Sequence, residues 1–383
     1  MKENWTYKKL TDVCDIQYGY SFDSANFSTS PNDGMPLIRI RDVKDGYSNT
    51  YYKGDYPEEY IIHKGDYLVG MDGEFNIAPW KSGDALLNQR VCKVSSKSNE
   101  VSIGYLYRFL TKELKKIEDE TPFVTVKHLS AKRLNQVLLP VPPIETQSRI
   151  VSELDLLQSI IDKQKAQLKE LDNLAQAVFY DMFGDPVENE KRWEVKKLEE
   201  IVSDECPISY GIVQPGDGVE NGIPVVRPVD MTHTFVYRQG LKQTTKEISN
   251  SYKRTILKGN EILLCVRGTT GLVSLATDEL KGCNVTRGVA PIECNAQNDR
   301  WFVYFQFLTN AIQQYIAEYT KGIALKQINM KDVREIPFIV PPLSLQQSFA
   351  AKIEAIEKQK ALINQSVTET QRLFYYTMDK YFG

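Results

Sequence analysis

The chain has 383 residues, an apolar fraction of 42% and a net charge of −3, as expected for a globular protein of two or three domains. No apolar run approaches the ~18–20 residues that span a membrane, and the polar start argues against a signal peptide, so we expect a cytoplasmic protein. Six scattered cysteines and three histidines argue against a metal site and for reduced thiols.

Charge is balanced within two long segments of the chain. Residues 1–140 hold 19 basic against 19 acidic side chains, and residues 186–340 hold the same numbers. A surface for nucleic acid would therefore require basic side chains gathered on one face, which composition alone does not reveal.

Five short motifs occur twice in the same order, with offsets that grow from 188 to 199 residues. The pairs are WxxKKL at 5–10 and 193–198, GxPhhRxxD (h, apolar) at 34–42 and 222–230, KGD or KGN at 64–66 and 258–260, FLT at 109–111 and 307–309, and V-P-P-h-x-x-Q at 141–147 and 340–346. Matches in this order indicate a duplication of nearly the whole chain.

Each copy begins with a mixed α/β part. Predicted strands cover 37–41, 66–69 and 137–139 in the first copy, and 225–229, 261–266 and 336–339 in the second. Aromatic-rich amphipathic helices are predicted at 103–117 and 300–318.

Each copy ends in a predicted long helix that starts after Pro-Pro and stops at Phe-Gly. Apolar residues recur there in steps of four and three, which predicts a coiled-coil seam about 54 Å long. A pair of core helices is the alternative, but it would need a wider apolar face. The main seam residues are Ile150, Leu154, Leu157, Ile161, Leu168 and Leu171, and Phe349, Ile353, Ile356, Ile363, Val367 and Phe374; Ala175, Val178, Met182 and Tyr381 extend the seams, and Gln164, Lys360, Thr370 and Thr377 are weaker positions.

This set of duplicated motifs, each copy leading into a long helix, resembles the specificity subunits of type I restriction–modification systems over essentially the full chain. The resemblance implies an α+β fold with two α/β target-recognition domains in tandem duplication, separated by two long helices that form an antiparallel coiled coil. The expected boundaries are 1–141 and 186–340 for the domains, and 142–185 and 341–383 for the spacer helices.

The resemblance also implies a non-catalytic subunit that binds double-stranded DNA at two half-sites separated by a fixed gap. It would direct adenine methylation and ATP-dependent cleavage by two modification subunits and, where the complex cuts, two restriction subunits. S-adenosylmethionine, ATP and Mg²⁺ would bind those partners, and no cofactor would bind this chain. Independently, two related domains on a rod suit half-sites about one helical turn apart, and their diverged loops predict that the half-sites differ.

Candidate DNA contacts are Arg, Lys, Tyr, Gln and Thr residues in or beside Gly/Asp-rich turns, because such side chains reach bases and phosphates. In the first domain they are Tyr18, Tyr20, Arg39, Arg41, Lys44, Tyr47, Lys81, Gln89, Arg90 and Lys127. In the second domain they are Tyr210, Gln214, Arg227, Arg267, Thr269, Thr270, Arg287, Lys321, Lys326 and Gln327.

Some candidates have structural alternatives. Arg39 and Arg227 occur in both copies of one motif, which favours a salt bridge to Asp42 and Asp230 or a phosphate contact over base reading. The tyrosines have packing against the sheet as their alternative. The runs at 163–165 and 358–360 (KQK) are interpreted as solvent-facing charge on the coiled coil.

Catalytic motifs are missing from the sequence. It contains no Gly-Lys dipeptide for a nucleotide-binding loop and no Asp/Asn-Pro-Pro-Tyr/Phe run of an amino-methyltransferase. Two other functions stay open: a stand-alone regulator that binds duplex DNA, and a coiled-coil interaction scaffold that binds no DNA. A split enzyme whose endonuclease lies elsewhere is a variant of the main hypothesis.

Overall fold

The computed structural model describes residues 5–122, 126–322 and 325–383. The chain divides into two units, Met1–Lys165 with Gln365–Gly383, and Ala166–Asn364. Each unit therefore contains one α/β domain together with one half of each long helix.

The elements of the first copy are β1 (Thr6–Lys9), α1 (Leu10–Val13), β2 (Cys14–Tyr18), β3 (Phe27–Ser28), β4 (Met35–Ile38), α2 (Ile40–Asp45), β5 (Tyr51–Tyr52), β6 (Ile61–Ile62), β7 (Tyr67–Gly70), β8 (Asn76–Pro79), β9 (Ala85–Leu87), β10 (Val91–Ser96), α3 (Ile103–Glu120), α4 (Ala131–Asn135), β11 (Leu138–Val141) and the long helix α5 (Ile144–Phe183). The strands form three sheets, with orders β1-β11, β2-β10-β7-β8 and β3-β5-β4-β9-β6.

The elements of the second copy are β12 (Glu194–Lys197), α6 (Leu198–Ile201), β13 (Ile223–Val226), β14 (Phe235–Val236), β15 (Lys242–Thr244), α7 (Lys246–Asn250), β16 (Ile262–Cys265), β17 (Val273–Ala276), β18 (Asn284–Val285), β19 (Val289–Ile292), α8 (Arg300–Phe307), α9 (Asn310–Tyr319), α10 (Met330–Arg334), β20 (Pro337–Val340) and the long helix α11 (Leu343–Phe382). The sheet orders are β12-β20, β15-β13-β18 and β14-β17-β16-β19.

The duplication is visible in the strand pairing of both domains. The WxxKKL strand pairs antiparallel with the strand before Pro-Pro in each copy, as β1 with β11 and β12 with β20. The strand of the GxPhhRxxD motif pairs in parallel with an equivalent strand in each domain, β4 with β9 and β13 with β18. The two domains thus share one topology at their repeated motifs.

A buried glutamine explains why V-P-P-h-x-x-Q is repeated. The Oε1 of Gln147 accepts a hydrogen bond from the amide of Ser102 at 2.9 Å, and its Nε2 donates to the carbonyl of Pro142. Gln346 makes the same pair of bonds, to the amide of Asp299 at 2.8 Å and to the carbonyl of Pro341. Each glutamine therefore ties the start of a long helix to the residue that caps the domain's aromatic helix.

The predicted strands at 37–41 and 225–229 are too long. The chain leaves the sheet at Ile38 and Val226 and turns into a short helix or 3₁₀ turn. The carboxylate three residues after each arginine causes this, because Asp42 and Asp230 accept the backbone N–H of Arg39 and Arg227 at 2.8 Å. An acidic side chain at this point stabilises the first turn of a helix.

The helix predicted at 300–318 is interrupted in the structure. Helix α8 ends at Phe307, and α9 starts at Asn310. The hydroxyl of Thr309 donates to the carbonyl of Gln306 at 2.7 Å, which satisfies a carbonyl at the end of the first helix. In the first copy the corresponding helix α3 is continuous from Ile103 to Glu120.

In the first unit, the start of α5 packs on the end of α11. Ile150 and Leu154 share a core with Met378 and Tyr381. The hydroxyl of Tyr381 donates to Glu153 at 2.7 Å. Further along, Gln164 Nε2 donates to Ser366 Oγ at 2.7 Å, so the polar seam position is occupied as the spacing predicts.

In the second unit, the end of α5 packs on the start of α11. Phe179 and Phe183 are fully buried and their rings lie 5.7 and 5.3 Å from that of Phe349, in a core that includes Ile353 and Ile356. Because the start of one helix meets the end of the other in both units, the two helices run antiparallel, as the resemblance implied.

The seam residues lie where the 3.5-residue period puts them. Those named above are buried or half-buried, including Leu168, Leu171, Ile363 and Phe374 at intermediate exposure. The end of α5 differs from the prediction, because the fully buried residues are Phe179 and Phe183 while Val178 and Met182 are half-buried. There the helix widens its apolar face to pack on the aromatic helix α8 as well as on α11.

Lys360 is not solvent-facing charge. Its ammonium lies 2.7 Å from Asp172 and 2.6 Å from Glu357, and its side chain is only 14% exposed. The interpretation of the run at 358–360 as solvent-facing charge is wrong at this position, whereas Lys358 is exposed.

Candidate nucleic-acid interface

Four segments of the first domain meet at one set of loops. The amide of Gln89 donates to the carbonyl of Tyr20 at 2.7 Å, in the connection between β9 and β10. The amide of Met71 donates to the carbonyl of Arg90 at 2.9 Å, and that of Gly73 to the carbonyl of Lys127 at 2.8 Å. Four predicted contact residues, Tyr20, Gln89, Arg90 and Lys127, are therefore held together by main-chain hydrogen bonds.

Within these loops, Arg90 is paired with two residues that sequence reasoning missed. Its Nε lies 3.6 Å from a carboxylate oxygen of Asp72, and one terminal nitrogen lies 3.1 Å from His128 Nε2. His128 Nδ1 in turn lies 2.5 Å from the other carboxylate oxygen of Asp72. We name Asp72, Arg90 and His128 the acid–base cluster of the first domain.

A second group of predicted residues surrounds the short helix α2. Lys44 pairs with Glu74 at 3.0 Å, and the ammonium of Lys81 donates to the carbonyl of Asp45 at 3.2 Å. Arg39, Arg41 and Tyr47 lie on or beside the same helix with exposed side chains. Glu74 follows Asp72 by two residues, so this group borders the acid–base cluster.

The half-buried Tyr18 makes a hydrogen bond within its own domain. It donates to Asn135 Oδ1 at 2.7 Å, and burial, together with the charge of nearby Cys92, raises the pKa of this phenol to about 12. The packing alternative for the tyrosines therefore holds for Tyr18. Tyr20 is exposed, although its ring also contacts Phe22 and Tyr60.

The second domain builds a corresponding set of loops. The segments of Arg267 and Lys321 both pair with that of Gln327. The amide of Arg287 donates to the carbonyl of Ile212 at 2.7 Å, and its guanidinium lies over the ring of Tyr210 at 5.7 Å. Gln327 Nε2 also donates to the Tyr210 hydroxyl at 3.3 Å.

This second set is basic. Over the described ranges 5–122, 126–322 and 325–383, Arg267, Arg287, Lys321 and Lys326 form no ion pair with a carboxylate. The Nε of Arg267 is buried without a hydrogen-bond partner among those residues. We name Arg267, Arg287 and Gln327 the basic cluster of the second domain.

The remaining candidates of the second domain border this cluster. Arg227 forms a bidentate salt bridge to Asp230, at 2.8 and 3.1 Å, so the structural alternative describes its geometry. In the first domain Arg39 meets Asp42 only through its backbone amide, and its side chain is exposed. Thr269 and Gln214 are exposed, whereas the hydroxyl of Thr270 accepts a hydrogen bond from Thr320 at 3.1 Å.

The two clusters occupy equivalent places in the two domains. The bridge Asp72–His128 matches the bridge Arg267–Gln327. In the connection before the strands β10 and β19, the backbone hydrogen bonds match Gln89 with Arg287 and Arg90 with Gly288. The Tyr-Gly pairs at 18–19 and 210–211 also match. A Cβ on Gly19 would lie 2.0 Å from the carbonyl oxygen of Asn88, and a Cβ on Gly211 would lie 2.2 Å from that of Val285. Only glycine therefore fits at either position. This recurring Tyr-Gly pair was the sequence signal that could have aligned the clusters.

Among the described residues, no group of three or more His, Cys, Asp or Glu side chains is placed to hold a metal ion. No helix within the described ranges is both long and apolar enough to cross a membrane.

Comparison with known proteins identifies the family. The family model of the type I restriction modification DNA specificity domain matches residues 2–173 and 190–371, one match for each copy. The chain is 31% identical to the type I restriction enzyme EcoBI specificity subunit of Escherichia coli, over 99% of this chain and 86% of that protein. It is 22% identical to a putative MjaX specificity subunit of Methanocaldococcus jannaschii, over 93% of this chain and 87% of that one.

Solved structures agree in fold. The S subunit of a type I restriction–modification system from M. genitalium superposes with a TM-score of 0.55 at 12% identity, covering 99% of this chain and 96% of that one. A chain from a structure of type I R-M complex assembly and conformational transition gives 0.56 at 19% identity, covering 99% and 98%. The chain belongs to the family of type I restriction–modification DNA specificity subunits.

Proposed function

We propose that this chain recognises an asymmetric bipartite target in double-stranded DNA, with each α/β domain reading one half-site. The observation that carries the proposal is the pair of equivalent loop clusters with different side chains. Corresponding loops offer Asp72, Arg90 and His128 in one domain and Arg267, Arg287 and Gln327 in the other, with Asp72 matched by Arg267 and His128 by Gln327. Side chains of different donor and acceptor pattern select different bases, so the two half-sites differ in sequence.

The chain acts as the recognition component of a larger cytoplasmic enzyme. It directs adenine methylation by two modification subunits, and ATP-dependent cleavage where two restriction subunits join. Those partners bind S-adenosylmethionine, ATP and Mg²⁺. The family membership and the basic cluster of the second domain support a role in which DNA contacts come from loops on two domains.

The test is sequencing of N6-methyladenine in DNA from cells that express this chain with its modification partner. We expect methylation at a bipartite motif with two different halves and a constant gap, lost when the chain is deleted. The matched control is the modification partner expressed alone. Methylation that is unchanged by deletion would contradict the proposal.

A DNA-binding measurement separates the two other functions. A stand-alone regulator would bind its site tightly as a purified single chain, without modification subunits. A scaffold would show no salt-dependent DNA binding even with those subunits present, because phosphate contacts release counterions and make affinity depend on salt. We expect salt-dependent, sequence-specific binding by the assembled complex.

A further inference from the structure

Arg90 has a backbone conformation that an arginine rarely adopts. Its φ angle is 72°, in the left-handed region, at the connection between β9 and β10. A residue other than glycine costs about 1 kcal/mol or more in this region and keeps the conformation only where its surroundings impose it. Here the carbonyl of Arg90 accepts from Met71, and the amide of the next residue, Val91, donates to Asn88.

The side chain of Arg90 is also held in place. One terminal nitrogen of its guanidinium lies 3.1 Å from Nε2 and 3.2 Å from Nδ1 of His128, and its Nε lies 3.6 Å from Asp72. His128 Nδ1 also lies 2.5 Å from Asp72, so the guanidinium, the imidazole and the carboxylate all contact one another. The arginine nevertheless remains 51% exposed, against 21% for Asp72, so several of its five N–H groups stay available.

The neighbouring carboxylate determines what such an arginine prefers to bind. A DNA phosphate close to Arg90 would also lie close to the negative charge of Asp72 and be repelled by it. A guanine edge offers two neutral acceptors, O6 and N7, which match two parallel N–H groups of a guanidinium. An ordered arginine beside a carboxylate therefore favours a base over the backbone.

The second domain reverses this arrangement. Arg267 replaces the carboxylate and Gln327 replaces the imidazole. Gly288 stands at the position of Arg90, and Arg287 precedes it at the position of Gln89. Two guanidinium groups without a carboxylate partner in the described residues attract phosphate, and the glutamine amide offers a donor and an acceptor that suit adenine. The same structural position thus presents opposite charge in the two domains.

We propose that Arg90, positioned by Asp72 and His128, reads a single guanine in the half-site of the first domain. The exchange of this pair for Arg267 and Gln327 makes the equivalent position of the second domain read a different base. Arg90 is the base-reading residue, and Asp72 and His128 are positioning residues. This inference rests on the proposed function, because it requires that each domain reads a half-site.

The experiment uses the full chain co-expressed with its modification partner and sequences N6-methyladenine for Arg90→Lys, Asp72→Asn and His128→Gln. Each variant should lower discrimination at one guanine of one half-site, by about 10- to 100-fold for Arg90→Lys, because a lysine loses the bidentate contact. The other half-site should stay unchanged. Arg287→Lys should alter the opposite half-site.

Arg133→Lys is the matched control, since this exposed arginine pairs with Glu120 at 2.6 Å elsewhere in the same domain. It should leave the motif unchanged. Thermal unfolding of each variant separates a folding defect from a change of base preference. An unchanged motif for Asp72→Asn and Arg90→Lys in folded complexes would overturn the inference, as would Arg90→Lys and Arg287→Lys affecting the same half-site. If the parent complex shows no bipartite motif, the proposed function itself fails.

Discussion

At the scale of single residues, two of the repeated motifs have a structural cause. Gln147 and Gln346 anchor the long helices, and Asp42 and Asp230 accept the amides that start a helical turn. Residues that differ between the copies at equivalent positions, such as Asp72 and Arg267, are the ones that we propose to set the base preference of each domain.

Asp42→Ala tests this structural assignment. The carboxylate is buried and accepts the Arg39 amide at 2.8 Å, so its removal leaves a donor unsatisfied and should lower the free energy of unfolding by about 1–2 kcal/mol. Denaturant unfolding measures the change. Asp45→Ala in the same helix is the control, because Asp45 is exposed and should change stability by less than about 0.5 kcal/mol. Equal effects of the two changes would contradict the assignment.

At the scale of elements, the long helices combine an apolar seam with polar residues that face the partner helix. Gln164 meets Ser366 in the first unit, and Lys360 meets Asp172 and Glu357 in the second. Apolar residues at every seam position would permit sliding by a heptad, whereas a buried polar pair favours one register. The polar seam positions thus specify alignment.

Lys360→Met should destabilise the protein by about 3 kcal/mol, because it leaves Glu357, only 16% exposed, without its cation. Burial lowers the pKa of Lys360, but hydrogen bonds to Asp172 and Glu357 outweigh it and hold the pKa above its usual value. Because this pKa is raised, the ion pairs of Lys360 contribute fully to the free energy of unfolding below the unfolded-state pKa of about 10.4. That contribution is lost as pH rises through the folded-state pKa.

Denaturant unfolding of Lys360→Met at neutral pH measures this effect. Lys358→Met, at an exposed position two residues earlier, provides the comparison and should change stability little. A Lys360→Met protein as stable as Lys358→Met would show that the buried pair contributes nothing.

At the scale of the whole molecule, both long helices pass from one unit to the other. The unit boundaries, after Lys165 and after Asn364, lie inside α5 and α11. The two domains are therefore connected through these helices. A change in helix length would leave the contact loops of both domains unaltered.

Insertion of one heptad into each helix at these boundaries preserves the seam period and lengthens each helix by about 10.5 Å. We expect the gap in the methylated motif to grow by about three base pairs while both half-sites keep their sequence. Methylation sequencing provides the readout, and the uninserted chain provides the reference. An altered half-site with an unchanged gap would contradict this role of the helices.

Periodicity and repetition determined much of this protein from its sequence alone. The duplication, the two α/β domains, the seam from Ile150 to Phe374 and the strands that precede Pro-Pro all follow from local patterns, because helix and strand periods are written in consecutive residues. The same patterns failed at the end of α5, where Phe179 and Phe183 are the buried residues, because the helix there packs on α8 and no longer on one partner alone.

The membership of each site cluster was decided by tertiary structure. Gln89 and Arg90 were predicted from their own turn, but Asp72 and His128 lie 18 and 38 residues from Arg90 along the chain. Only the pairing of the surrounding strands and loops brings the carboxylate and the imidazole to the arginine, and only the match between the two domains places Arg267 at the position of Asp72. The two domains have the same numbers of acidic and basic residues, yet the matched position carries a negative charge in one domain and a positive charge in the other. The fold, not distance along the sequence, determines which charges lie together.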